Sequence, residues 1–307
     1  MLAGLLGIKM NRPLLDLYLE LDTKININQY KETLSEFISL WGNDIHIFTD
    51  NLNKIENLRE FLELLEKLDL GTYSFIDGGL SNNFYYLNED VIKLLVEKKV
   101  NSLAFIINEK IIYDKKYVDY VKKIINNKIN IETFFKIDEN NVQYLDDVLN
   151  FCINNEIKLC IVDIDKKSDK RIEKESYKEV VQKLLNINNE NRIRVSISEC
   201  PYVNLFRNIN LNVLGGCSAG MTSCMIDKQG YVVPCMYLTD IKIGNIAEQK
   251  LAEIWDCELF KKLANRKNIT GKCSKCKYIN VCGGCRAEGF YINRDLFEED
   301  NNCWVEV

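Results

Sequence analysis

The stretch that decides the architecture reads Cys217-Ser-Ala-Gly-Met-Thr-Ser-Cys224-Met-Ile-Asp-Lys-Gln-Gly230-Tyr-Val-Val-Pro-Cys235, resumes as Cys273-Ser-Lys-Cys276 and Cys282-Gly-Gly-Cys285, and ends at Cys303. It holds nine of the twelve cysteines in the chain. Thiolates spaced two to five residues apart can face one point, because a short loop brings both sulfurs to the same metal centre. Leaving Cys257 aside, eight cysteines fall in this stretch, enough for two four-thiolate sites. The run Met225 to Cys235 predicts two short strands about a turn at Asp227 to Gly230, where glycine takes positive φ at little steric cost. Such a hairpin projects Cys235 back toward Cys217 and Cys224. In Cys282-Gly-Gly-Cys285 the glycines let the backbone turn sharply and approach a bulky inorganic core.

Spacing alone leaves zinc and iron-sulfur ligation equally open, since Cys-x2-Cys pairs serve both. Secreted disulfides fit less well. The sequence shows no charged-then-apolar leader with a cleavage site, and 307 residues build a core without staples. Cys152, Cys160, Cys200 and Cys257 lack cluster-like spacing and read as small buried apolar side chains.

Taken together, Cys217-Ser-Ala-Gly, Ile226-Asp-x-x-Gly-x-Val-x-Pro-Cys235, Ile243-Gly-Asn-Ile, Glu253-Ile-Trp and Cys282-Gly-Gly-Cys-Arg-Ala-Glu-Gly closely resemble the SPASM domain, the C-terminal module of many peptide-modifying radical SAM enzymes. The resemblance covers about residues 210–307 and favours iron-sulfur over zinc. It implies two auxiliary [4Fe-4S] clusters, the first on Cys217, Cys224, Cys235 and Cys285, the second on Cys273, Cys276, Cys282 and Cys303. The assignment of Cys285 to the first cluster comes from the family, and some members leave one iron of that cluster open at the position of Cys224.

Upstream, short apolar runs alternate with amphipathic stretches. Strands are predicted at 15–21, 45–48, 72–76, 102–107, 129–135, 158–164 and 193–197, from their β-branched and aromatic content. Helices are predicted at 58–68, 91–96, 117–125, 142–152 and 177–185, from stripes such as Leu58, Phe61, Leu62, Leu65 and Leu68. Repeated βα units imply a parallel sheet. Periodicity does not separate an open sheet from a barrel. The C-terminal resemblance implies the radical SAM-like (β/α)6 partial barrel, giving an α/β chain with a barrel over 1–209 and a cysteine-rich domain over 210–307.

That implication meets a conflict. Radical SAM enzymes carry Cys-x3-Cys-x2-Cys after the first strand, but the first cysteine here is Cys152. Leu21-Asp-Thr-Lys-Ile-Asn-Ile resembles the approach to the motif, and on that alignment the cysteine positions fall on Ile25, Gln29 and Glu32. The motif is thus replaced within the chain and not lost by truncation. Ile45-His-Ile-Phe-Thr-Asp-Asn-Leu52 likewise stands where the family often has Gly-Gly-Glu-Pro, although Asp50 can still accept from an amine. S-adenosylmethionine is not expected as a cofactor. The resulting expectation is a noncatalytic, pseudoenzyme-like partner in peptide maturation that transfers electrons or binds a peptide or a partner radical SAM enzyme. An active peptide-modifying enzyme and a zinc scaffold are the alternatives.

The remaining signals are weaker. His46, the single histidine, reads as a core or pocket residue. Tyr73, Phe84, Tyr85 and Tyr86 read as packing, as does Trp255. Gly78-Gly79 reads as a turn, and Lys166 to Arg171 as a solvated charged loop. No phosphate loop, nucleophile elbow or paired-acid signature is found. A net charge of -5 argues against a nucleic-acid surface, and no apolar run is long enough to span a bilayer. Free thiols and clusters point to a reducing cytoplasm. The peptide, the partner and the oligomeric state are not encoded in any feature noted.

Overall fold

A computed structural model describes residues 12–68, 70, 72–78, 85–127, 129–164, 166–168, 170–189, 193–198 and 216–306. The 209–210 boundary, Cys200, Gly79 and Phe84 lie outside the described residues.

All seven expected strands form, the first six each followed by a helix: β1 (Asp16–Leu21), α1 (Ile27–Ser39), β2 (Asp44–Thr49), α2 (Leu58–Lys67), β3 (Thr72–Asp77), α3 (Glu89–Glu97), β4 (Ser102–Ile107), α4 (Lys115–Asn126), β5 (Ile131–Ile137), α5 (Leu145–Asn154), β6 (Leu159–Ile164), α6 (Lys174–Asn189) and β7 (Arg194–Ser198). The cysteine-rich segment adds β8 (Ser223–Ile226), β9 (Tyr231–Val233), β10 (Gly244–Asn245), α7 (Leu251–Trp255), α8 (Glu258–Ala264), α9 (Gly271–Lys275) and α10 (Arg286–Asn293). The described residues group into two compact units. One comprises Met1–Phe105, Lys123–Asn130 and Ala219–Ala264; the other comprises Ile106–Lys122, Ile131–Ser218 and Asn265–Val307.

In the first unit the strand order is β10-β9-β8-β1-β2-β3-β4. β1 pairs in parallel with β2 on one side and β8 on the other, the latter from Asp16 opposite Ser223 to Leu19 opposite Ile226. β3 and β4 continue the parallel set, while β9 and β10 are antiparallel. Leu17, Leu19 and Ile47 are fully buried, as are Phe61 and Leu62 on the apolar stripe of α2. Each such side chain stabilises the core by about 1.5–3 kcal/mol. α1 was not foreseen. It begins where Asn26 accepts a hydrogen bond from Gln29 N at 3.2 Å, and it buries Tyr30, Leu34 and Phe37 on one face. Its Glu36 carboxylate accepts from Ala252 N at 3.1 Å, which ties α7 to α1.

In the second unit β5, β6 and β7 are parallel neighbours. Phe135 lies opposite Val162 and Cys160 opposite Val195, and these buried side chains belong to a core that also holds Val148 of α5 and Val181 and Leu184 of α6.

β3 ends in a buried carboxyl. Asp77 is 3% exposed and accepts from Gly78 N at 3.1 Å, from Leu52 N at 3.3 Å and from the Tyr85 hydroxyl. Burial outweighs these donors and pushes its pKa up to about 7. Between pH 4 and 7 the folded chain therefore holds a proton that the unfolded chain releases, so this residue's contribution to stability falls as pH rises through that window. Asp77→Asn is expected to flatten that part of the stability profile, read as urea midpoints at pH 4.5 and 7.5. An unaltered pH dependence in the variant would exclude Asp77 as its source.

Candidate metal centres

Among the described residues no three Cys, His, Asp or Glu groups surround a point suited to one metal ion. The groupings below rest on hydrogen bonds, backbone contacts and mutual electrostatic influence.

In the second unit, Cys273 sits on α9 and Cys276 just beyond it, followed by the turn Cys282-Gly-Gly-Cys285 and by Cys303. Gly283 and Gly284 have φ of 74° and 64°, the left-handed region that glycine enters without strain. Each thiol of the outer group faces a backbone amide. Asp300 N lies 3.5 Å from Cys273 Sγ, Tyr278 N lies 3.5 Å from Cys276 Sγ and Gly284 N lies 3.4 Å from Cys282 Sγ. Cys303 receives the amide of Val305. A β-carbon at Gly284 would lie 3.1 Å from Cys273 Sγ, so the missing side chain is what admits that sulfur. Cys273, Cys282 and Cys303 influence one another's charge, as close neighbours do.

Cys285 is 2% exposed. Its N–H donates to Asp300 Oδ2 at 2.9 Å, and Asp300 Oδ1 accepts from Asn302 N at 3.1 Å. Cys217 acts on the charge of Cys285 and donates its own N–H to the Cys282 carbonyl at 2.9 Å. The two segments meet so closely that a β-carbon at Gly216 would lie 1.7 Å from that carbonyl oxygen.

Burial dominates the electrostatics. It pushes the Cys282 thiol up to about 12 and the Cys303 thiol up to about 11, and raises Cys273 and Cys285 as well. Free, these groups are neutral thiols at pH 7. A bound metal must displace their protons. Backbone N–H groups directed at sulfur, a glycine cradle and thiols grouped away from water suit an anionic iron-sulfur core.

The first unit contains Cys224 and Cys235 on the hairpin. Asp227 Oδ1 accepts from Gln229 N and Tyr231 N, both at 2.9 Å, and Gly230 has φ of 84°, so the expected turn forms. The last strand pair, Met225 opposite Val233, leaves both cysteines at the open end of the hairpin. Cys224 is fully buried and burial raises its pKa, which the Arg12 guanidinium only partly opposes. Arg12 itself stands 4.1 Å over the Trp255 ring and donates to the Trp255 and Phe260 carbonyls.

Several weaker candidates now have settled places. His46 stacks on Tyr18 at 4.8 Å and hydrogen-bonds Ser74 Oγ through Nδ1 at 3.2 Å; burial lowers its pKa. Tyr73 donates to the Lys98 carbonyl at 2.8 Å and Trp255 is 1% exposed. Cys152 and Cys160 are fully buried and Cys257 is partly exposed. Gly78 turns with φ of 94°. Beyond the ends of β1 and β2 lies a cavity of about 510 Å3 lined by Asp22, Thr23, Asp50, Asn51, Tyr85 and Lys228. The expectation of a solvated loop from Lys166 to Arg171 fails at both ends. Lys166 is 2% exposed, and Arg171 pairs with the buried Glu288 at 3.0 Å. Sequence reasoning also passed over Arg266, Arg286, Glu288 and Asp300. For Arg286, Glu288 and Asp300 the one signal is position, as charged residues within three of a cysteine; Arg266 has no such signal.

Gly216→Ala tests the contact between the two cysteine segments. Backbone against backbone at 1.7 Å has no cheap relief, so the variant is expected to retain less than about half of the wild-type iron after anaerobic purification, counted colorimetrically. Full iron retention would show that the contact is dispensable.

A family model described as an iron-sulfur cluster-binding domain, SPASM, matches residues 217–285. An AdoMet-dependent heme synthase from Methanosarcina barkeri is 42% identical over 89 residues, 29% of this chain and 25% of that protein. A pre-heme d1 synthase from Dinoroseobacter shibae is 28% identical over 100 residues, 31% of this chain and 25% of that protein. The matches thus span about a quarter of the length of these curated relatives. Among solved structures, Streptococcus suis SuiB bound to S-adenosylmethionine aligns with a TM-score of 0.74 at 14% identity, covering 96% of this chain and 76% of SuiB. Native anSMEcpe with bound AdoMet and Cp18Cys peptide aligns with a TM-score of 0.66 at 16% identity, covering 95% and 94%. Residues 217–285 match a SPASM iron-sulfur cluster-binding domain, and the chain carries this segment on the α/β fold seen in SuiB and anSMEcpe.

Proposed function

We propose that the protein binds two auxiliary [4Fe-4S] clusters and serves, without radical chemistry of its own, as an electron-transfer or peptide-binding partner in peptide maturation. The observation that carries this reading is the contrast between the cysteine-rich segment and the loop after β1. The cysteine-rich segment keeps grouped, buried thiols with amides directed at them. After β1, in contrast, Ile25 is buried at 3% exposure and Asn26 caps a regular helix, so the three positions aligned with a cluster motif carry an apolar side chain and two helix residues.

On this reading Cys273, Cys276, Cys282 and Cys303 hold one cluster, and Cys217, Cys224, Cys235 and Cys285 hold the other. A four-thiolate cluster supplies one-electron transfer when bound. The protein's part is to exclude water from the sulfurs and to direct amide dipoles at them, which stabilises the ionised ligands. SuiB is also known bound to its precursor peptide SuiA, which supports a peptide as the partner class. The heme and pre-heme d1 synthases match only about 90–100 residues around the SPASM segment, so they bear on the cluster module and leave the choice of substrate to the rest of the chain.

Anaerobic iron, sulfide and zinc counts decide the metal content. About eight irons are expected, with roughly half lost in Cys273→Ala. About twelve irons would reveal a third cluster and restore the enzyme reading, and about two zincs with no sulfide would make the module a scaffold. Incubation with dithionite and S-adenosylmethionine is expected to yield no 5′-deoxyadenosine; its formation would overturn the noncatalytic role. Addition of the protein to its cognate maturase is expected to alter turnover or peptide affinity, and no change in either would remove the accessory role.

A further inference from the structure

Two guanidinium groups lie beside the cysteine segments of the second unit, and their circumstances differ. Arg286 is 1% exposed and donates to the carbonyls of Leu296 and Glu298 at 3.0 Å and of Gly283 at 2.6 Å. The Asp300 carboxyl faces its charge. Arg286 therefore has a protein counter-ion.

Arg266 has none. Its Nη2 donates to the Cys217 carbonyl at 3.0 Å, and Cys217 N–H donates onward to the Cys282 carbonyl at 2.9 Å. The guanidinium fills the room that a side chain at Gly283 would take: a β-carbon there would lie 1.8 Å from Nη1 and 2.4 Å from Cζ. The groups acting on its charge are the sulfurs of Cys217 and Cys282 and the like charge of Arg286; no carboxylate is among them. Its Nε, like that of Arg286, is buried and has no acceptor among the described residues, so the two groups differ in counter-charge and not in this respect. A buried N–H without an acceptor is destabilising, and a buried charge without a counter-charge is more so. An anion carrying sulfur lone pairs, held by Cys217 or Cys282, would remove both costs.

We propose that Arg266 is the counter-cation and positioning residue of the iron-sulfur centres: wedged beside Gly283, it joins the Cys217 and Cys282 segments and raises the reduction potential of the cluster it faces. The inference rests on the two-cluster reading above. Adding an electron makes the cluster more negative by one charge, and a cation held nearby in a water-poor site favours that state. Loss of the cation therefore lowers the potential.

The test uses the full chain, anaerobically loaded with iron and sulfide, as wild type, Arg266→Gln and Arg266→Lys. Iron and sulfide are counted first, then the reduced clusters are titrated by electron paramagnetic resonance. A wild type without iron or sulfide would sink the two-cluster reading itself, before Arg266 is judged. With clusters present, Arg266→Gln is expected to keep them and to show about a tenfold higher oxidised-to-reduced ratio at the wild-type midpoint, equal to about 59 mV for one electron, with Arg266→Lys close to wild type. A Gln variant that keeps its iron and titrates at the wild-type potential overturns the proposal. Should Gln lose iron, Lys decides. Retained clusters near the wild-type potential uphold the role of the charge, and loss of iron in Lys as well overturns it.

Discussion

The contact between Gly216-Cys217 and Cys282-Gly283 is the constraint on which the cysteine-rich part of the second unit depends. A single backbone hydrogen bond of 2.9 Å, from Cys217 N to Cys282 O, fixes the two segments, and neither flanking glycine has room for a β-carbon. This closeness has a chemical consequence. It brings carbonyl dipoles, a guanidinium and several thiols into a volume with little water, where electrostatic effects are strong in both directions. Neutral thiols are tolerated there because burial raises their pKa, and on the proposed reading an anionic centre would lie beside cations already in place at Arg266 and Arg286.

The parallel strands and most helices were legible because their information is local. β1 shows alternating burial, α2 carries a stripe with helical spacing, and the Asp227 to Gly230 turn follows from the chemistry of two residues. α1 was hidden by a competing reading. Residues 25–32 were aligned with a cluster motif, and the cap at Asn26 together with Tyr30, Leu34 and Phe37 at helical spacing was available but unused. The parallel pairing of β8 with β1 could not be read from either strand, since periodicity states which face is buried and not which strand lies alongside. The buried ion pair of Arg171 with Glu288 was missed for a similar reason: 117 residues separate the partners, and a run of charges reads as solvated until its partner is located.

The pairing of β8 with β1 also bears on the sheet's C-terminal edge. It sets the hairpin turn beside the ends of β1 and β2, where Lys228 lies 3.5 Å from Asp50 and 3.9 Å from Glu20. Lys228 is half-exposed, and each pair of this kind contributes less than about 1 kcal/mol, so the effect on stability is small. The effect on the local field is larger. Burial raises the pKa of Glu20, while Lys228 opposes that rise. A lysine from the cysteine-bearing hairpin thus joins Lys54 in supplying positive charge to a cavity whose lining also includes Asp22 and Asp50.

The same accounting explains why metal uptake and local order should be coupled in the second unit. Asp300, fully buried with its pKa pushed up to about 6, receives the Cys285 amide and faces Arg286. Glu288 faces Arg171, and Lys166 acts on both Cys285 and Asp300. Replacing such a network by apolar side chains often stabilises a fold, so its presence is weak support for stability as such. Its members make more sense as the fixed charges of a site whose own charge changes. When thiols give up their protons to a metal, the negative charge appears inside an array already holding cations at Arg266, Arg286 and Lys166. The reorganisation that water would otherwise undergo has then been carried out in advance by folding.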